Sequence, residues 1–141
     1  MIQSPLSEFE KIIGHTFQNI KFLKIALTHK SYIDENPTLE SNQRYEFLGD
    51  TILDFDLTIY LFNKYPNLDE GNLTKIRSSA VNQTALVELG QKISIGTFLY
   101  LSKAEDSTGG RFKKSIIEDA VEALIAALFF DGGLDLSLIH I

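Results

Sequence analysis

Apolar residues recur at helical rather than strand-like spacing along most of this chain. Leu6, Phe9, Ile12 and Ile13 form a short stripe, with Ser4-Pro5 ahead as cap and first-turn residue and Gly14 behind as a stop. A second helix is predicted from Ile20 to Thr28. Asp34, Asn36, Pro37 and polar neighbours make Ile33 to Ser41 a loop, with Ser41 or Asn42 as the next cap. A long helix is predicted from Arg44 to Lys64, ended by Tyr65-Pro66. In it Leu48, Ile52, Phe55, Ile59 and Phe62 form a stripe at 3.6 spacing. Leu53, Leu57, Tyr60 and Leu61 add apolar surface elsewhere, so the helix is expected to be buried on more than one side. Further helices are predicted from Leu73 to Gln91, broken near Val81-Asn82, and weakly from Phe98 to Leu101. Ser102 to Lys114 is polar and glycine-containing and reads as a mobile, partly basic loop. Ser115 to Glu118 has the form of a capping box opening a last helix, which Asp131-Gly132-Gly133 stops. Strand-like alternation is scarce, and the expected fold class is all-α, a helical bundle.

The chain has 141 residues, the size of one domain with a core of its own, and no room for a second. It has no cysteine, and its start lacks the basic, apolar and small-residue pattern of a signal peptide. The apolar run Ala120 to Phe130 is too short to cross a bilayer, so a cytoplasmic protein without a membrane partner is expected. Residues 134–141 begin a further apolar segment that ends abruptly, as if the native domain continued or these residues were foreign to it.

A net charge of −6 argues at first against a nucleic-acid partner. Two pairs of carboxylates change that reading. Glu46 and Asp50 are four apart on the long helix, Asp119 and Glu122 three apart on the last, so each pair projects from one helical face. Such pairs are commonly solvated surface, but these lie among Phe47-Leu48, Ile52-Leu53, Ile116-Ile117 and Leu124-Ile125. Like charges beside apolar surface are costly unless cations neutralise them. Oxygen ligands without His or Cys select Mg²⁺, Mn²⁺ or Ca²⁺ over zinc. Two such ions would bring the charge from −6 to −2, so global charge decides nothing here. Gly49 inside a helix costs about 1 kcal/mol against alanine, which implies close approach of a partner helix or of the site itself. Asp119 is expected near a helix N-terminus, where the macrodipole favours its ionised form. His29 has the chemistry of a general base; His15 and His140 read as ordinary histidines.

The stretch Asn42-Gln-Arg-Tyr-Glu-Phe-Leu-Gly-Asp50-Thr-Ile-Leu53 resembles the signature of the ribonuclease III family. Ala26 to Tyr32, Asp69 to Arg77 with Val81-Asn82, Gly109-Gly-Arg111, and Ser115 to Ile125 with Asp131 to Gly133 resemble four further family segments in the same order. The resemblance implies the catalytic domain of an endonuclease that cuts double-stranded RNA by two-metal hydrolysis, with Mg²⁺ as cofactor and Mn²⁺ as substitute. Products would carry 5′-phosphate and 3′-hydroxyl ends with a short 3′ overhang. It places the metal-binding carboxylates on Glu46, Asp50, Asp119 and Glu122, and a further acidic position on Glu70. It implies a homodimer paired through the signature helix, in keeping with the apolar surplus there. Gln43 stands where many members have Glu, keeping an oxygen acceptor but losing the charge. The resemblance assigns the His29 region to structure or substrate contact. Lys30, Arg77, Asn82, Arg111, Lys113 and Lys114 are the candidates for contact with RNA. The family's double-stranded-RNA-binding domain has no counterpart in these residues. A non-cleaving RNA-binding scaffold on the same fold is the alternative. Retention of all four carboxylates argues against it, since a pure binder would gain affinity by losing them.

Overall fold

The structure, a computed structural model, describes residues 5–133. Eight α-helices follow in order among these residues: α1 (Leu6–Ile13), α2 (Ile20–Ala26), α3 (Lys30–Glu35), α4 (Gln43–Lys64), α5 (Glu70–Ala80), α6 (Gln83–Lys92), α7 (Lys103–Ser107) and α8 (Lys114–Gly132). Short 3-10 turns cover Ile95–Phe98 and Gly110–Phe112. The expected all-α class is the observed one: extended pairing among the described residues is confined to a single parallel bridge between Thr28 and Tyr100. None of these helices is long and apolar enough to cross a membrane. The expectations for Ser4 and for residues 134–141 lie outside the described residues.

Helix α8 is the axis of the domain. From Ile116 to Leu128 it is buried almost all round, and α2, α4 and α6 pack against it. A helix apolar on every face must be enclosed in this way to remove that surface from water. Phe9, Leu23, Leu27, Ile95, Leu99 and Leu128 complete the densest part of the core. The α4 contact depends on Gly49: a Cβ there would overlap the Glu122 carbonyl and lie 3.4 Å from the Ala126 nitrogen. Of the two approaches that Gly49 implied, the partner helix is the one observed.

Several expected boundaries move, each for a local reason. Helix α2 stops at Ala26 rather than Thr28, because the chain straightens to pair with Tyr100: the Tyr100 N–H donates to the Leu27 carbonyl, and the His29 N–H to that of Tyr100. Where a loop was expected to begin at Ile33, α3 runs from Lys30 to Glu35, with the His29 ring capping it by accepting the Ser31 N–H. Asn42 occupies the cap of α4, but its side chain donates instead to the Ala26 carbonyl, at 3.0 Å. Helix α5 begins at Glu70, not Leu73, because Asp69 accepts from the Asn72 N–H. The break at Asn82 is as expected.

The stripe read along the long helix coincides only in part with its buried face: Ile52 is buried and Leu48 and Ile59 half-buried, but its two phenylalanines are not. Tyr45, Gly49, Ile52, Leu53, Asp56, Leu57 and Leu61 are buried, whereas Phe55 and Phe62 are exposed. The weak helix at Phe98 to Leu101 is a 3-10 turn ending at Phe98, followed by extended chain. The supposed mobile loop at 102–114 is an ordered strap: α7 and a 3-10 turn locked by Arg111, whose guanidinium is buried. Arg111 donates to the carbonyls of Leu99 (2.6 Å) and Gly96 (3.1 Å) and pairs with Asp106 at 2.9 Å. The capping box at Ser115 does not form, because the cap position of α8 falls two residues earlier, on Lys113.

Candidate metal centre

The crossing of α4 and α8 brings the acidic pairs together. Glu46 is one turn before Gly49, Glu122 is the α8 residue whose carbonyl Gly49 admits, and Asp119 is one turn before Glu122. Carboxylate oxygens of Glu46, Asp119 and Glu122 lie within 4.8 Å of one another. Asp50, one turn further along α4 and outside that set of three, shares a hydrogen bond with Glu122. The missing Cβ at residue 49 therefore sets the spacing of the cluster.

The electrostatics follow from burial of like charges. Glu122 is 7% exposed. Burial, the hydrogen bond with Asp50, and the charges of Asp50, Glu118 and Glu46 push its carboxyl up to about 9. Asp119 is pushed up to about 6 by burial and by Glu46 and Glu118, with Lys30 opposing. The helix-dipole expectation for Asp119 therefore fails. Asp119 is five residues into α8, beyond the first turn where the dipole acts, and burial beside other carboxylates dominates. Among the described residues, no Lys or Arg pairs with any of the four carboxylates within ion-pair distance. A cluster of hard oxygen donors whose charges oppose one another suits divalent cations, whose binding would draw those protons off.

A groove of about 280 Å³ beside the cluster is lined by Glu46 and Asp119 together with His29, Lys30, Gln43 and Lys113. Gln43 is thus at the cluster's edge, within 3.3 Å of the Ser41 hydroxyl. His29 is half-buried, and burial holds it below its ordinary value. Its Nδ1 is occupied by Ser31, which leaves it a capping role on the groove wall. Other candidates are elsewhere. Glu70 is exposed at the start of α5, outside the cluster. Arg77 donates to the Thr58 hydroxyl of α4 at 2.8 Å. Asn82 spends its side chain on the Ala85 N–H and the Ser79 carbonyl, as a helix cap. Arg111 is a correction: at 5% exposure, with its donors taken by carbonyls and Asp106, it holds the strap instead of offering a charge to RNA. Lys114 is exposed at the start of α8. Two further residues belong to the site that sequence reasoning did not assign to it. Glu118 adds its charge to Asp119 and Glu122, and Glu105 pairs with Lys113 on the groove wall. For Glu118 the signal was present, one turn before Glu122 on the same face.

Fold and site together define an all-helical domain built around a carboxylate centre suited to divalent cations. Comparison with known proteins agrees. The Ribonuclease-III-like family model matches residues 19–137, and the chain belongs to that family. It is 46% identical over 130 residues to the Ribonuclease 3 of Clostridium acetobutylicum, covering 92% of this chain and 56% of that one. It is also 46% identical over 144 residues to the Ribonuclease 3 of Clostridium beijerinckii, covering 99% and 62%. The chain thus spans roughly three-fifths of the length of these curated relatives. The solved nuclease domain of ribonuclease III from Campylobacter jejuni, described for flexibility in a region involved in dimer formation, superposes with a TM-score of 0.89. That pair shares 34% identity over 96% of this chain and 92% of that one. A Dicer from Pichia stipitis superposes at 0.62 with 26% identity, over 89% and 51%.

Proposed function

We propose that this chain is the catalytic domain of an endoribonuclease that cuts double-stranded RNA as a homodimer, in cytoplasmic RNA processing. The observation that carries this reading is the convergence of Glu46, Asp50, Asp119 and Glu122 at the α4–α8 crossing. All four are oxygen donors, and at Asp119 and Glu122 burial beside like charges favours replacing protons with divalent cations. When bound, Mg²⁺ (or Mn²⁺) supplies Lewis-acid activation of water and of the leaving 3′ oxygen. The chain's own residues hold and orient. Glu46 and Asp119 face the groove, Glu122 is buried beside them with Asp50 hydrogen-bonded to it, and the helix crossing fixes their spacing. Lys30 lies on the groove wall, where a backbone phosphate would meet it, and Lys114 offers a second cation at the start of α8. Gln43 keeps an amide oxygen at the edge of the cluster without adding charge. Hydrolysis by water leaves a 5′-phosphate and a 3′-hydroxyl.

The dimer reading rests on the exposed face of α4. Phe47, Thr51, Phe55, Thr58 and Phe62 share one side of that helix, and Phe47 and Phe62 are 80% and 69% exposed. Aromatic residues in such a stripe mark an interface on a soluble domain. A second copy related by a two-fold axis through that face would pair the stripe with itself. Beside Phe47, a groove lined by Phe22, Tyr45, Leu48 and Phe130 offers apolar surface to a partner's side chain.

The test is incubation of the purified protein with long double-stranded RNA, with Mg²⁺ or with chelator, and chemical analysis of the product ends. Metal-dependent cleavage to 5′-phosphate ends supports the proposal. Binding without cleavage in Mg²⁺ favours a non-cleaving scaffold and refutes it.

A further inference from the structure

The groove beside the metal centre contains an ion pair that the proposed reaction does not use. Lys113 and Glu105 line it together with Glu46 and Asp119. The Lys113 ammonium is 2.6 Å from a Glu105 carboxylate oxygen. Lysine carries its charge on a flexible four-carbon stem, so an ammonium anchored beside several carboxylates competes with divalent cations for them. Glu105, by contrast, is fixed. Its N–H donates to the Ser102 hydroxyl at 3.0 Å, and Thr108 donates to its carbonyl at 3.1 Å. Gly110 packs so closely that a Cβ there would be 2.6 Å from the Glu105 Cγ. Arg111 then locks the whole strap to the carbonyls of Gly96 and Leu99. A cation on a flexible stem is thus tied to an anchored anion at the edge of a carboxylate cluster.

We infer that Glu105 is a positioning residue: it holds the Lys113 ammonium away from Glu46, Asp119 and Glu122, reserving that centre for divalent cations and the ammonium for a backbone phosphate entering the groove. This rests on the metal-centre reading proposed above. Its prediction is non-additive. Removing Glu105 frees Lys113 to occupy the carboxylates, so Glu105→Gln weakens divalent binding. Lys113→Gln changes little while Glu105 is present, yet restores metal affinity when Glu105 is gone. A general field effect behaves differently, because Lys113→Gln would then tighten metal binding by the same factor in both backgrounds.

The experiment is a Mn²⁺ titration of RNA-free protein, followed by the loss of free-Mn²⁺ signal in electron paramagnetic resonance, for the wild type, both single variants and the double variant. Thermal unfolding checks that each is folded. For a half-exposed ion pair, Glu105→Gln should weaken Mn²⁺ binding by about two- to five-fold, and the double variant should return to the Lys113→Gln value. Unchanged affinity in Glu105→Gln, or equal effects of Lys113→Gln in both backgrounds, overturns the inference. Absence of Mn²⁺ binding in the wild type would instead refute the metal-centre reading beneath it.

Discussion

Replacing Gly49 with alanine sets two effects of opposite sign against each other. By intrinsic helix propensity, the change should stabilise α4 by about 1 kcal/mol. The packing says otherwise, because the new Cβ would overlap the Glu122 carbonyl oxygen and lie 2.6 Å from the carbonyl carbon. Ordinary contact needs about 3.4 Å or more, and the obstacle is helix backbone, which has no rotamer by which to withdraw. The helices must therefore separate by about 1 Å or more along the contact that buries Ile52, Leu53 and Leu124. Overpacking a well-filled core costs about 1–3 kcal/mol and sometimes more, and a backbone clash belongs at the upper end. The net expectation is a destabilisation of about 2–4 kcal/mol, or a fall in Tm of roughly 8–15 °C for a domain of this size. The same separation moves Glu46 and Asp50 relative to Glu122, so Mn²⁺ affinity should fall with Tm. Circular-dichroism melting at fixed protein concentration measures the first effect and metal titration the second. An unchanged or raised Tm would mean that the α4–α8 crossing leaves room for a Cβ at residue 49, which would refute the close approach.

Other outcomes follow from the same geometry. Asp119→Asn and Glu122→Gln, as well as Glu46→Gln and Asp50→Asn, should abolish cleavage of double-stranded RNA in Mg²⁺ while leaving the fold intact; near-normal turnover would remove that residue from the site. Because the folded-state values of Asp119 and Glu122 are raised to about 6 and about 9, the folded chain keeps protons that the unfolded chain releases above about pH 4. Without divalent ions, the contribution of these groups to stability should therefore decline as pH rises toward about 9. Melting in chelator should show that decline, and Mg²⁺ or Glu122→Gln should flatten it; an equal slope in Glu122→Gln would contradict the assignment. Phe47→Ala should shift a dimer toward monomer at micromolar concentration in light scattering, whereas an unaltered dimer would exclude this face. Arg111→Met should lower stability by about 3 kcal/mol, since it strands Asp106 and buried carbonyls. A variant of unchanged Tm but weakened RNA binding would restore Arg111 as a surface contact.

What could be read in the sequence was whatever depends on local spacing. Glu46 with Asp50 and Asp119 with Glu122 each share a face by helical periodicity alone, and Gly49 carried its warning of close approach. The long helix and the break at Asn82 followed from caps and breakers. What remained hidden depends on contacts between segments distant in the chain. Nothing near Arg111 shows that its guanidinium will reach back to Gly96 and Leu99, so a basic residue in a glycine-containing stretch looked like a mobile surface cation. Helix α3 and the end of α2 are decided by the pairing of Thr28 with Tyr100, a contact no local window contains. The buried face of α4 was misjudged for a related reason. Phe55 and Phe62 are as apolar as core residues but face outward, while Asp56, a carboxylate, is 0% exposed within the helix. Periodicity finds apolar positions without telling which of two apolar sides meets the core and which would meet another molecule.

If the carboxylates at the α4–α8 crossing form a divalent-metal centre, a divalent ion must bind between them. Diffraction from Mn²⁺-soaked crystals, recorded at a wavelength where manganese scatters anomalously, tests it without reliance on activity. An anomalous peak is expected, coordinated by oxygens of Glu46, Asp119 and Glu122 or Asp50, and it should be lost in Glu122→Gln. Well-ordered carboxylates with no peak between them at saturating Mn²⁺, or a peak only elsewhere on the molecule, would contradict it.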